Sequence, residues 1–107
     1  MNLLTNARDA VLTKPAGNRQ IIVSARAGAN ARLEIGIDDN GCGVAAENLG
    51  RIFQLGFTTK SSGNGLGLHY SACAARELRG DLTARSEGLG CGASFLLVLP
   101  LDAMTAA

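Results

Sequence analysis

Glycine placement constrains this chain more than any other feature. Of its 14 glycines, most fall between Gly36 and Gly92 in short clusters separated by apolar segments. A flexible linker would spread them evenly, so clustered glycines between core-forming stretches point to loops where the backbone must lie close to something. The rest of the chain must then supply a compact scaffold. With 107 residues and 47% hydrophobic content it is the size of one domain, 1–107.

Hydrophobic patterning gives the element order. On a helical projection Asn2, Asn6 and Asp9 fall on one side while Leu3, Leu4, Ala7, Ala10 and Val11 fill the other, which predicts an amphipathic first helix. Lys14, Pro15, Ala16, Gly17 and Asn18 end it. Strands follow at about 20–27 and 31–38, joined by a short loop at Gly28, Ala29 and Asn30. In the second strand Leu33, Ile35 and Ile37 alternate with Arg32, Glu34 and Asp38, so Asp39 is expected inside and Asp38 toward water.

A short helix is predicted over 45–53, a polar glycine-rich loop over 56–67, and a helix over about 66–78 with Gly80 as its C-terminal stop. Strands at 81–85 and 93–99 close the domain, and the tail at 101–107 is expected to fray. Hairpin-linked strands beside segregated helices predict an α+β two-layer sandwich, one mixed sheet with helices on one face.

Net charge is +1 without long runs of one sign, which gives no electrostatic case for a nucleic-acid or membrane partner. No apolar stretch approaches bilayer length and no secretory pattern opens the chain, so the expected compartment is the cytoplasm. Cys42, Cys73 and Cys91 have neither disulfide-framework nor zinc-cage spacing and are expected as free thiols.

Four segments could carry chemistry. Asn2, Asn6 and Asp9 form a stripe of hard oxygen ligands suited to Mg²⁺ shared with phosphate, or an ordinary solvated helix face. Asp39, carried inward and followed by Asn40-Gly41-Cys42-Gly43, could accept a hydrogen bond from a purine amine, or form an Asx turn at a strand end. Lys60 through Gly67 runs into a helix start and could cradle an anion on backbone N–H groups, or be a surface loop. Gly88 to Gly92 reads more readily as a plain hairpin than as part of a site. His69, the single histidine, has no second ligand at metal-binding spacing, and a structural or exposed position is expected for it rather than a metal-ligand or phosphoacceptor role.

In this order the segments resemble the boxes of the GHKL ATPases, most closely the catalytic domain of two-component sensor histidine kinases. Asn2-Leu3-Leu4-Thr5-Asn6-Ala7-Arg8-Asp9-Ala10 is similar to the N box and Asp39-Asn40-Gly41-Cys42-Gly43 to the G1 box. Phe53-Gln54-Leu55-Gly56-Phe57-Thr58-Thr59-Lys60 is similar to the F box, and Gly63-Asn64-Gly65-Leu66-Gly67-Leu68 to the G2 box. Gly90-Cys91-Gly92-Ala93-Ser94-Phe95 resembles the last glycine element. The resemblance extends from Asn2 to about Pro100.

It implies a Bergerat-type fold that binds ATP with Mg²⁺. Asn6 would hold the metal through the phosphates, Asn2 would support that end, and Asp39 would read the adenine amine. Gly41, Gly43, Phe57, Thr58, Thr59, Lys60, Gly63, Gly65, Leu66, Gly67, Leu68 and Ser94 would contact nucleotide. Asn6, Asp9 and Lys60 would serve transfer of the γ-phosphoryl group to a histidine, with Asp9 as base or polarising group. The implied partners are a phosphoacceptor and dimerisation domain and a downstream response regulator. The alternatives are a nucleotide-binding module that transfers nothing and an anti-sigma-type serine kinase. Family domains carry a helix and strand material before the N box, whereas this chain starts at it. Uncovered apolar surface is therefore expected, with self-association or reduced stability as its consequence.

Overall fold

The computed structural model describes residues 2–54 and 67–101. Elements run in the order α1 (Asn2–Val11), β1 (Ile21–Gly28), β2 (Arg32–Asp39), α2 (Ala46–Leu49), α3 (Gly67–Glu77), β3 (Asp81–Arg85) and β4 (Ala93–Pro100). Ala7 and Val11 bury the apolar side of α1, as its periodicity requires. The strands form one sheet in the order β1-β2-β4-β3, and α1 and α3 pack on the sheet and on each other.

All three pairings are antiparallel, where a mixed sheet was expected. β2 and β3 do run in the same direction, but β4 folds back from β3 and takes the slot between them. No parallel pair forms among the described strands.

Alternation in β2 places Ile37 (3% exposed) and Asp39 on the helix side and Asp38 on the other. Registers extend this face across the sheet: Asp39 lies opposite Ala93, Ile37 opposite Phe95, and Ala84 opposite Phe95 from the far side. One core cluster gathers Ile52, Ala93 and Phe95, and a second gathers Ala72, Ala75 and Leu82. Leu3 and Phe53 pack against both. Phe53 meets Phe95 edge to face, with centroids 6.2 Å apart at 83°.

Local differences from the sequence reading have identifiable causes. The helix expected over 45–53 is a single turn, Ala46–Leu49, capped by Gly50. Beyond it Arg51 N–H bonds Asn48 C=O and Gln54 N–H bonds Arg51 C=O, three residues back in each case, so the chain continues as turns. Ile52 is buried all the same.

α3 ends with Arg79, not Gly80, in the left-handed region (φ 63°). Arg79 N–H bonds Arg76 C=O (2.9 Å) and Gly80 N–H bonds Ala75 C=O (2.8 Å), the paired bonds of a Schellman motif. Gly80 is needed for another reason: a side chain there would run into the Val98 carbonyl. The β1–β2 loop likewise sits one residue later than expected, with Asn30 (φ 61°) and Ala31 (φ 56°) both left-handed. The tail at 102–107 lies outside the described residues.

Candidate functional site

Asp39 is the centre of the site. It is 9% exposed. Its Oδ1 accepts the Gly41 N–H at 2.9 Å, while Oδ2 is buried and has no hydrogen-bond partner among the described residues. Burial pushes the carboxyl above its ordinary value of 3.8. The N–H groups of Gly41 and Ala93 act against that rise and the charge of Asp38 adds to it. A buried carboxylate oxygen left open is costly for the empty protein and suits an external N–H donor.

Glycine loops hold this carboxyl in place. Cys42 N–H bonds the Ala10 carbonyl (3.3 Å), which satisfies an end group of α1 and seats Gly41 against that helix. Gly92 N–H bonds Gly41 C=O (3.1 Å) and Gly90 N–H bonds Cys42 C=O (2.7 Å), so the loops at 40–44 and 86–92 form one bonded unit. Gly92 has φ 73°, and a Cβ there would collide with the Asp39 carbonyl. Gly43 lies in the same unit, packed on the Gly88 carbonyl.

Two residues of this unit escaped the sequence reading. Ser86 Oγ accepts the N–H groups of Val44 (3.0 Å) and Gly88 (3.2 Å) and donates to Gly92 C=O (2.6 Å), joining both loops. Its bond to Gly88, two residues on, is the turn-forming habit of serine before a glycine, and that was the available signal. Ala93 is the other. It faces Asp39 across the ladder, whereas Ser94 pairs with Asp38 and Arg85 on the opposite face.

The two-residue period of β4 therefore puts Ser94 on the face of the sheet opposite Asp39, apart from the residue expected to read the base. Ser94 lines a different hollow of about 370 Å³ with Ser24, Gly36, Asp38, Thr83 and Arg85.

The helical stripe is partly placed. Asn6 is half-buried on α1, about 6 Å along the axis from Ala10, the residue that anchors Cys42. Asp9 is half-buried and accepts from Arg8 at 3.2 Å. Among the described residues no group of three or more His, Cys, Asp or Glu gathers to hold an ion. An amide oxygen from Asn6 fits a cation that takes few protein oxygens and completes its shell from phosphate, which is the habit of Mg²⁺.

Leu68 packs on the Ile52, Ala93 and Phe95 cluster, under the strand that faces Asp39. Gly67 opens α3. Phe57, Thr58, Thr59, Lys60, Gly63, Gly65 and Leu66 lie outside the described residues.

His69 has the structural role expected of it. Its Nδ1 lies 3.1 Å from the Phe53 carbonyl, which can only accept, so Nδ1 carries the proton. Nε2 is 3.6 Å from Cys73 Sγ one turn on. Cys42, Cys73 and Cys91 are all free thiols.

Fold and site together define a nucleotide-binding domain of the ATPase type. Residues 1–103 match the family described as histidine kinase-, DNA gyrase B-, and HSP90-like ATPase, and the chain belongs to that family. Among characterised relatives it is 41% identical to the two-component sensor PprA of Pseudomonas aeruginosa, over 96% of this chain and 11% of that protein. It is 35% identical to the signal transduction histidine-protein kinase AtoS of Escherichia coli, over 95% of this chain and 16% of that one. The chain thus spans only about a tenth to a sixth of these relatives.

Of solved structures, the mycobacterial sensor histidine kinase MprB superposes with a TM-score of 0.78 at 24% identity, covering 92% of this chain and 65% of that one. Full-length ShkA in complex with AMPPNP superposes with a TM-score of 0.73 at 29% identity, covering 92% and 20%. The described helices include none long and apolar enough to cross a membrane.

Proposed function

We propose that this chain binds ATP together with Mg²⁺ and donates the γ-phosphoryl group to a histidine on a separate phosphoacceptor domain, as the catalytic unit of a cytoplasmic two-component relay with a response regulator downstream. The observation that carries the proposal is the buried, unpartnered Oδ2 of Asp39 held between two bonded glycine loops.

Asp39 accepts the exocyclic N–H of adenine, and the buried setting favours a ring that offers a donor there over one that offers a carbonyl. Gly41, Gly43 and Gly92 keep the backbone flat against the base. Asn6, with Asn2 four residues before it on the same helix, supplies amide oxygen at the phosphate end. Mg²⁺ neutralises charge on the phosphate oxygens when bound.

Lys60, with Phe57, Thr58, Thr59, Gly63, Gly65, Leu66 and Gly67, covers the phosphates. Asp9 acts as base toward the attacking imidazole. Most of the acceleration comes from positioning and charge neutralisation, as for phosphoryl transfer in general.

The test is transfer of label from γ-labelled ATP to a phosphoacceptor domain supplied from a sensor kinase. The expected result is an acid-labile phosphohistidine that disappears with Asn6→Ala. Nucleotide binding with no transfer to any supplied domain would leave a binding module and overturn the kinase reading.

A further inference from the structure

Two of the three thiols lie in the bonded loops that hold Asp39. Cys42 is in the loop at 40–44 and Cys91 in the loop at 86–92, and both are exposed. Cys73 is apart from them, half-buried on α3 with its Sγ 3.6 Å from His69 Nε2.

Backbone bonds set Cys42 opposite Cys91. Gly92 N–H, just after Cys91, reaches the Gly41 carbonyl, just before Cys42, at 3.1 Å. Gly90 N–H, just before Cys91, reaches the carbonyl of Cys42 itself at 2.7 Å. The two bonds bracket both α-carbons, as for facing residues on antiparallel strands, where α-carbons lie about 4.5–5.5 Å apart. A disulfide takes α-carbons about 4.4–6.8 Å apart, so the backbones need not move to accept one.

Other contacts hold the loops at this spacing. Ser86 Oγ bonds both, through Val44 N–H and Gly92 C=O. Gly43 packs on the Gly88 carbonyl so closely that a Cβ would not fit. Cys91 Sγ itself makes only a weak contact, 3.8 Å from the Leu89 carbonyl, which an exposed thiol gives up easily.

We infer that Cys42 and Cys91 are a modification site, a thiol pair that a small-molecule disulfide such as oxidised glutathione converts to an intramolecular Cys42–Cys91 bond. One thiolate attacks the reagent and expels one thiol, and the second attacks the mixed disulfide and expels the other. The reagent is reduced to two thiols as the pair is oxidised, and the two protons pass to the departing sulfurs. The bond closes a loop of about fifty residues and staples together the two loops that hold Asp39, whatever ligand the site takes. Exposed disulfides are the labile kind, so excess reduced glutathione returns both thiols.

The test is oxidation of the reduced chain across a series of glutathione ratios, followed by alkylation of the remaining thiols, trypsin and mass spectrometry. The expected product joins peptide 33–51 to peptide 86–107 within one chain, with the alkyl group on Cys73. Oxidation should raise the melting temperature by about 10 °C. Cys42→Ser and Cys91→Ser should each stop at a mixed disulfide with glutathione and show no such rise, while Cys73→Ser should form the link normally. In concentrated urea the same ratios should give far less of it, because only the folded chain holds the two residues together.

Glutathione left separately on Cys42 and Cys91 of the folded chain would overturn the inference, as would links through Cys73 or an equal yield in urea. A link that lowers the melting temperature would also overturn it, since the loops would then have been forced from their folded spacing.

Discussion

Ser86→Ala is expected to loosen the site from behind. Ser86 Oγ accepts from Val44 and Gly88 and donates to Gly92, and alanine leaves two N–H groups and a carbonyl without those partners. Each such bond is worth about 0.5–1.5 kcal/mol net, and water can reach part of this half-buried position, so the loss should be about 2 kcal/mol. For a domain of this size that is a fall in melting temperature of about 8–16 °C.

Urea unfolding followed by circular dichroism measures the loss directly, and an unchanged m-value would place it in the native state. Ser86→Thr keeps the hydroxyl and should lose much less. Because the broken bonds join the loops that hold Asp39, nucleotide affinity should fall along with stability. A loss below about 0.5 kcal/mol would show that solvent replaces these bonds and that Ser86 does not organise the loops.

Ala31→Gly should stabilise the chain by about 0.5–1 kcal/mol, because Ala31 is held at φ 56° on the surface and its carbonyl bond to Leu101 N–H is unaffected. Chemical denaturation would detect it. Gly92→Ala should cost about 2 kcal/mol or more and abolish nucleotide binding, since it adds strain at φ 73° and a clash with the Asp39 carbonyl. For Asp39 the sign is reversed from the usual carboxylate. Its folded pKa is raised, so the folded state holds the proton more tightly, and stability falls as pH rises from 3.8 through the folded value. Asp39→Asn should remove that slope and raise stability at neutral pH, which melting curves across a pH series would reveal.

Much of this domain was legible because period-two and helical patterns report burial directly. The alternation of Leu33, Ile35 and Ile37 alone puts Asp39 inside, and Ala7 and Val11 mark the buried side of α1. The glycine clusters marked both loops of the site. What patterns could not give was the phase of β4. Ala93 and Ser94 are both small, so burial does not choose between them, and only the pairing with Asp39 and Asp38 does.

The β2-to-β3 crossover also hid the antiparallel order, because where β4 inserts depends on tertiary packing. Arg79 takes the left-handed position, while the close Val98 carbonyl accounts for the glycine at 80. Ser86 acts through three bonds that close only once both loops are folded, with just one of its partners, Gly88, near in sequence before a loop forms.

The most direct measurement is a calorimetric titration of ADP and of a non-hydrolysable ATP analogue, with and without Mg²⁺, into this chain and into Asp39→Asn, with GDP alongside. The expected result is adenine-nucleotide binding strengthened by Mg²⁺, weak or absent binding of GDP, and loss of adenine binding in Asp39→Asn while that variant remains folded. Equal affinity for both bases, or adenine binding unaffected by the substitution, would contradict the assignment of the open Asp39 oxygen as the reader of the base.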